Sequence, residues 1–194
     1  METALWILLG LIGVLVVASL WLYSRFKGLH NLLVALDQRC DTALSDVDVH
    51  LKHRHNLIPG LVSLVKGVTG HEKDMVLGVM EARAEALRSV SAQIKLKAEG
   101  NLTAQLSTLI SSIDKFPDIK ALPEFANLRK ELTECENRIT AARRFHNLAI
   151  EEYNTTLRQF PANLIAQKLR LSSRQPFDLG VERVLIDEPV AMAF

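Results

Sequence analysis

The sequence predicts an all-α protein, with an N-terminal transmembrane helix that continues into a long antiparallel four-helix bundle and an irregular C-terminal tail. Three observations predict it. A charge-free apolar run opens the chain, and two long stretches carry apolar residues at alternating spacings of three and four. Only six prolines, nine glycines and 6% aromatics occur among 194 residues, which suits helices better than sheets.

The first element is the anchor, assigned to residues 1–24. TALWILLGLIGVLVVASLWLYS, from Thr3 to Ser24, carries no charge, and as a helix it spans about 33 Å, enough for the hydrocarbon core. Trp6 lies near one end and Trp21 and Tyr23 near the other, where amphipathic rings favour the interface. A cleaved signal peptide needs a basic stretch first, and only Met1 and Glu2 precede the run. Val16-Val17-Ala18 loosely resembles a cleavage site, but the length of the run favours an uncleaved anchor. Arg25 and Lys27 follow the span and no Lys or Arg precedes it. The positive-inside rule then places the N-terminus outside and the rest of the chain in the cytoplasm.

The second element continues the first. Positions 29, 33, 36, 40, 43, 47, 50, 54, 57, 61, 64 and 68 form a heptad seam, so one helix from Thr3 to Val68 would be about 100 Å long. Thr69-Gly70 breaks it. HEKDMVLGVMEARAEALRSV makes a shorter helix with Glu72 and Asp74 in its first turn. A break near Glu99-Gly100-Asn101 precedes LTAQLSTLISSID, which Lys115-Phe116-Pro117-Asp118 ends. Pro123 suits the first turn of the last long helix. Its seam runs through positions 125, 128, 132, 135, 139, 142, 146, 149, 153, 156 and 160, and Gln159-Phe160-Pro161 closes it. The bundle domain is therefore 25–170 and the tail 171–194. That tail, with two prolines and no helical period, is either disordered or docked on a partner surface, and its apolar content favours docking.

Several functions are excluded or disfavoured. With 23 basic and 22 acidic residues the net charge is +1, so no long-range field steers nucleic acid. Cys40 and Cys135 lack metal or redox spacing and read as two buried thiols. If antiparallel partners sum to about 191, Cys135 faces roughly position 56, about 24 Å along the helix from Cys40, which excludes a bridge within one chain. His50, His53 and His55 do not converge, because His55 sits about 140° from His50 around a helix. His71-Glu72-Lys73-Asp74-Met75 lacks the second histidine of a zinc-protease motif. No metal, cofactor or catalytic residue is expected.

The informative residues interrupt the seams. His50 and Arg54 occupy layers that should be apolar, and His146 does so on the last long helix. A buried arginine requires a partner. The pairing rule brings Arg54 within about a turn of Glu134 and close to Asn137 and Arg138, a polar layer that fixes register or faces another protomer. Lys52, His53 and His55 fall off the seam and read as surface residues. Pro59 removes the hydrogen bond to the His55 carbonyl, but Leu57, Leu61, Leu64 and Val68 keep the phase, so the helix bends there without ending.

LSDVDVHLKHRHNLIPGLVSLVKGVTGHEK, followed by EARA, resembles the signature of the LemA family of bacterial membrane proteins. FPDIKALPEFANLRKELTECENRITAARRFHNLAIEEYNTTLRQFPANLIA is similar to that family's second signature. The resemblance implies one N-terminal anchor and a long helical bundle, and brings no catalytic residues to carry over. His146 and Leu148 stand where the family commonly has Tyr and Asp. Tyr153, Asn154, Phe177 and Phe194 complete the set of interaction candidates. The expected function is a non-enzymatic scaffold that self-assembles as a homo-oligomer on the inner membrane, in contact with membrane lipid, organising or shaping the bilayer. The alternative is an adaptor for a membrane protease or envelope quality-control complex.

Overall fold

The computed structural model of the protein describes residues 2–68, 73–89 and 92–177. Every regular element among them is helical: α1 (Glu2–Val68), α2 (Lys73–Arg88), α3 (Ala92–Ile113), α4 (Pro117–Lys120), α5 (Pro123–Arg158) and α6 (Ala162–Leu169). The predicted tail divides at residue 177, and Phe194 lies outside the described residues.

The long N-terminal helix is one element of 67 residues, with Pro59 inside it. Its first third is unlike the rest. Each side chain described between Trp6 and Gly28 is exposed, and the first buried one is Leu33. The helix contains a window of mean hydropathy 1.8, none of it buried within the protein, and is long and apolar enough to cross a membrane.

The described residues fall into two compact units. One is Met1–Leu44 with Phe145–Asp178, and the other is built on Ser45–Arg144. In the first, Leu36, Cys40 and Ala43 of α1 pack on Ala149, Ile150 and Tyr153 of α5. Leu33 packs on Ala162, Ile165 and Ala166 of α6. In the second, α1 through Ile58, Leu61 and Val65 joins α2, α3 and α5 in a larger apolar cluster, closed by Ile119 of α4.

The expected seam on α1 holds as far as Val47 and then slips. Ala43, Val47 and Leu51 are buried at two successive spacings of four, after which Arg54, Ile58, Leu61 and Val65 carry the core. His50 and Leu57, which the strict heptad puts inside, are only half-buried. A straight helix has 3.6 residues per turn and drifts about 20° per heptad, so its inward face moves off a 3.5-residue seam. The slip corrects the placement of His55 as well. This residue is buried at 4% exposure, because it lies four residues after Leu51 and three before Ile58.

The break expected at Glu99-Gly100-Asn101 does not occur; α3 runs through it from Ala92 to Ile113. A mid-helix glycine costs about 1 kcal/mol. Burial of Ala98, Leu102, Leu106 and Leu109 on the same helix exceeds that cost, since each large aliphatic contributes about 1.5–3 kcal/mol. The last helix opens on Pro123 as expected, and its seam is buried at Phe125, Leu132, Cys135, Ile139, His146, Ala149 and Tyr153. Phe160, placed on that seam by the sequence, lies past the end of α5 and is exposed. Cys40 and Cys135 are both free and buried.

Candidate functional site

Two polar assemblies are built into the units. The first surrounds Arg54, whose side chain is fully buried. Its guanidinium is bonded to the buried carboxylate of Glu99. It also donates to Glu136 Oε1 at 2.6 Å and to the Thr103 hydroxyl at 2.6 Å. Glu99 Oε1 is 2.9 Å from His55 Nε2. Burial alone would raise the Glu99 carboxyl. The His55 hydrogen bond and the charge of Arg54 outweigh it and hold the group below its usual range. Since Glu99 is then a carboxylate, His55 Nε2 must be the donor.

The next residue along α1 explains how a proline is tolerated here. Pro59 has no N–H, so the carbonyl four residues back, that of His55, loses its helical partner. Arg83 of α2 supplies the substitute: its Nε donates to the His55 carbonyl oxygen at 3.0 Å. One turn earlier the Cys135 thiol donates to the His50 carbonyl at 3.3 Å. The KHRHNLIPG stretch is thus held by α2 through its backbone and by α3 and α5 through the Arg54 side chain.

The second assembly lies in the other unit, where the chain leaves α6. Arg170 takes a left-handed conformation with φ 55°. Its N–H reaches the Gln167 carbonyl while the Leu171 N–H reaches that of Ala166, the paired bonds that terminate a helix in a Schellman turn. The following segment lies along α5. Asn154 grips Arg174 twice, Nδ2 donating to its carbonyl and Oδ1 accepting from its N–H, both at 2.9 Å. Asn147 grips Phe177 in the same way, at 2.9 and 2.8 Å. The Tyr153 hydroxyl donates to the Ser172 carbonyl at 3.2 Å.

The side chains of the segment are engaged too. Arg174 pairs with Asp37 and Asp41 of α1 and lies over the Tyr153 ring, 5.8 Å from its centroid. The Phe177 ring sits 4.7 Å from that of His146. The Arg174 bond lowers the carboxyl of Asp41. Burial pushes the His146 imidazole below its ordinary value, and a hydrogen bond with Asn147 partly opposes this.

The sequence that builds these two assemblies decides the kinship, for residues 43–194 match the model described as the LemA family. The chain belongs to the LemA family. No curated protein matches it. In this LemA chain the match contains all of the Arg54 cluster and the Asn147–Asn154 clasp, while Asp37 and Asp41 precede it.

The predicted residues are distributed as follows. Arg54 has ionic partners, but they are Glu99 and Glu136, not the expected neighbours. Glu134 pairs at 3.9 Å with Arg138 on the exposed side of α5, and Asn137 is exposed. The pairing rule finds the right level of α5 but not its faces: Glu134, Asn137 and Arg138 are exposed there, and Glu136 is the carboxylate turned toward Arg54. His50 contributes its carbonyl, Pro59 the gap that Arg83 fills, and His146, Tyr153, Asn154 and Phe177 meet around the segment after α6. Sequence reasoning missed Asp37, Asp41, Arg83, Glu99, Thr103, Glu136, Asn147 and Arg174, and read His55 as a surface residue. Of these, Asn147 carried a signal, since it stands seven residues from Asn154 and therefore on the same helix face.

Proposed function

We propose that this LemA chain is a non-enzymatic, membrane-anchored helical scaffold that self-associates on the bacterial inner membrane and organises the bilayer it sits in. Its N-terminus lies outside, its packed portion is cytoplasmic, and its helices form an antiparallel bundle. The observation that carries this reading is α1, which passes without a turn from an exposed apolar segment into the residues that build both cores. The antiparallel course is supported by ion pairs between α1 and α5, Arg39–Glu152 and Arg54–Glu136, whose residue numbers sum to about 190. Self-association is supported by one face of the apolar segment, a shallow concavity of Gly10, Gly13, Val14, Val17, Ala18 and Trp21. Gly10, Gly13 and Ala18 give this face little side-chain bulk, and small residues on a lipid-facing side let helices approach closely.

The Arg54 cluster has a structural role in this reading. Its charged groups engage one another inside the unit, which fixes register. The experiment is sizing of the detergent-extracted, full-length protein, with crosslinking in membranes. Concentration-dependent oligomers and homotypic crosslinks are expected. A monomer at all concentrations, or dominant heterologous products, overturns the reading.

A further inference from the structure

The first unit turns back on itself at the end nearest the apolar segment of α1. Arg39 of α1 pairs with Glu152 of α5. Closer to the apolar segment, Leu33 packs on Ala162, Ile165 and Ala166 of α6, and Leu29 packs against the same cluster. After α6 the chain runs back along α5, through Ser172 at Tyr153 and Arg174 at Asn154. Leu29 and Leu33 stand five and nine residues beyond Ser24, the end of the charge-free run, which is about 7.5 and 13.5 Å along the helix. A helix with its side chains is about 10–12 Å across, so the near side of α6 comes within about 5 Å of the end of that run. The headgroup layer on each side of a bilayer is about 5–7.5 Å thick. With the apolar segment read as a membrane span, α6 borders that layer.

The charge of this end is one-sided. Residues 25–36 and 153–173 contain no Asp or Glu, but hold Arg25, Lys27, Arg158, Lys168 and Arg170. The whole chain carries +1, so outside these five residues it nets −4. All five are exposed, and none pairs with an acid among the described residues. Arg25 and Lys27 flank Phe26, which stands three residues before Leu29 and so on the α6 side of α1.

The same end carries unpartnered apolar surface. Phe160 is 80% exposed, more than Trp21 at 66% in the apolar segment itself, and Leu164 is 49% exposed. Phe160, Leu164 and Lys168 recur at spacings of four, on one side of α6, while Ala162, Ile165 and Ala166 turn the opposite side to α1. Leu157, one residue before the end of α5, closes over that buried side too. With α1 beside it and α5 above it, α6 has its free face turned outward and toward the bilayer. Apolar side chains bordered by bases are the composition of a helix face that lies in a membrane interface.

We propose that the α6 end of this unit is a second membrane contact beside the span, and that its ligand is the anionic phospholipid headgroup of the same bilayer. Phe160 and Leu164 enter the boundary between headgroups and acyl chains, and the five bases meet the phosphates. Each Lys or Arg close to an anionic membrane surface strengthens adsorption roughly fivefold. The remainder of the chain, at −4, is repelled by that surface, which confines the contact to this end. The inference rests on α1 crossing the bilayer and does not require self-association.

The test places an environment-sensitive fluorophore at one position at a time in the full-length protein. The protein is reconstituted in vesicles of phosphatidylcholine mixed with phosphatidylglycerol. Leu15→Cys reports on the span, Leu164→Cys on the proposed contact, and Leu148→Cys on an exposed leucine farther along α5 from the apolar segment. Cys40 and Cys135 are buried and shielded from the reagent. Melts by circular dichroism establish that each variant folds. Nitroxide-labelled lipids are expected to quench positions 15 and 164 and to leave 148 unquenched. The ratio of lipid-shielded to water-exposed probe at 164, read from its two fluorescence lifetimes, should fall about fivefold for each of Arg158→Gln and Lys168→Gln. It should fall further in phosphatidylcholine alone.

Quenching at 15 without quenching at 164 overturns the headgroup contact and leaves the span intact. No quenching at 15 overturns the span and this inference with it. A probe at 164 that is shielded from water yet unquenched by labelled lipid assigns the face to protein, which overturns lipid as its occupant. Equal quenching at 164 with and without phosphatidylglycerol overturns the anionic headgroup as ligand. Quenching at 148 equal to that at 164 overturns a contact confined to this end.

Discussion

Replacing Arg83 with Ala isolates one hydrogen bond whose value depends on a residue in another helix. The Arg83 guanidinium donates through Nε to the His55 carbonyl at 3.0 Å, and His55 is buried at 4% exposure. A hydrogen bond involving a charged group contributes about 1.5–3 kcal/mol, and a buried acceptor left unpaired costs a similar amount. Arg83→Ala is therefore expected to destabilise the protein by about 2 kcal/mol. The carbonyl is open only because residue 59 is proline. In a Pro59→Ala background the residue 59 N–H closes the helical bond, and Arg83→Ala should then cost about 0.5 kcal/mol. The coupling energy is accordingly about 1.5 kcal/mol, well outside the 0.3–0.5 kcal/mol within which independent substitutions add. The assay is a double-mutant cycle on the full-length protein in mild detergent, by denaturant titration with circular dichroism. Additivity within about 0.5 kcal/mol refutes the account of Arg83 as the surrogate for the missing N–H.

Three further perturbations follow from the same geometry. Glu99→Ala leaves Arg54 buried with only half-buried Glu136 as ionic partner, and should cost about 3–5 kcal/mol, read from the denaturation midpoint; a loss below 1 kcal/mol would contradict it. Acidification should destabilise in two steps. His146 is held below its ordinary value by burial, so the unfolded chain takes up its proton first and stability falls as pH drops below about 6.5. Glu99 is also lowered, so its contribution is complete above about 4.5 and is lost as pH falls through its folded value. His146→Phe should remove the upper step from the melting temperature against pH and leave the lower one. Finally, Arg170→Gly should raise stability by about 1 kcal/mol, because the left-handed conformation at φ 55° penalises a side chain; a lower melting temperature would show that the arginine side chain outweighs its backbone.

The legible parts of the fold are those set by long repetition. The seams of α1 from Leu29 and of α5 from Phe125 carry their periods far enough that no local breaker overrides them, Pro59 included. Locally read signals did less well. Gly100 looked like a helix end because propensity sees the glycine and not the buried Ala98 and Leu102 beside it. His55 looked exposed because a strict heptad carried past Val47 puts it a step away from the face that a straight helix turns inward. That Arg54 needs a partner follows from the cost of burying its charge, but which carboxylate answers depends on the face that α5 turns inward, and Glu99 sat in a presumed break. The clasp around residues 172–177 was half visible. Tyr153, Asn154 and Phe177 stood out, but a polar side chain that binds backbone leaves no complementary pattern in its partner's sequence.

Because α1 has no joint between Trp6 and the core residues Leu33, Leu36 and Cys40, the faces of its exposed apolar segment and of its packed segment share one angular phase. Each residue turns the helix by about 100°. One residue added near Gly28 would swing the Gly10–Gly13–Ala18 face by that angle relative to the face packed on α5 and α6, and seven would bring it back to within about 20°. On the proposed reading the helix is a shaft as well as a tether: the direction in which its Gly10–Gly13–Ala18 face would meet a neighbour dictates where Asp37 and Asp41 point.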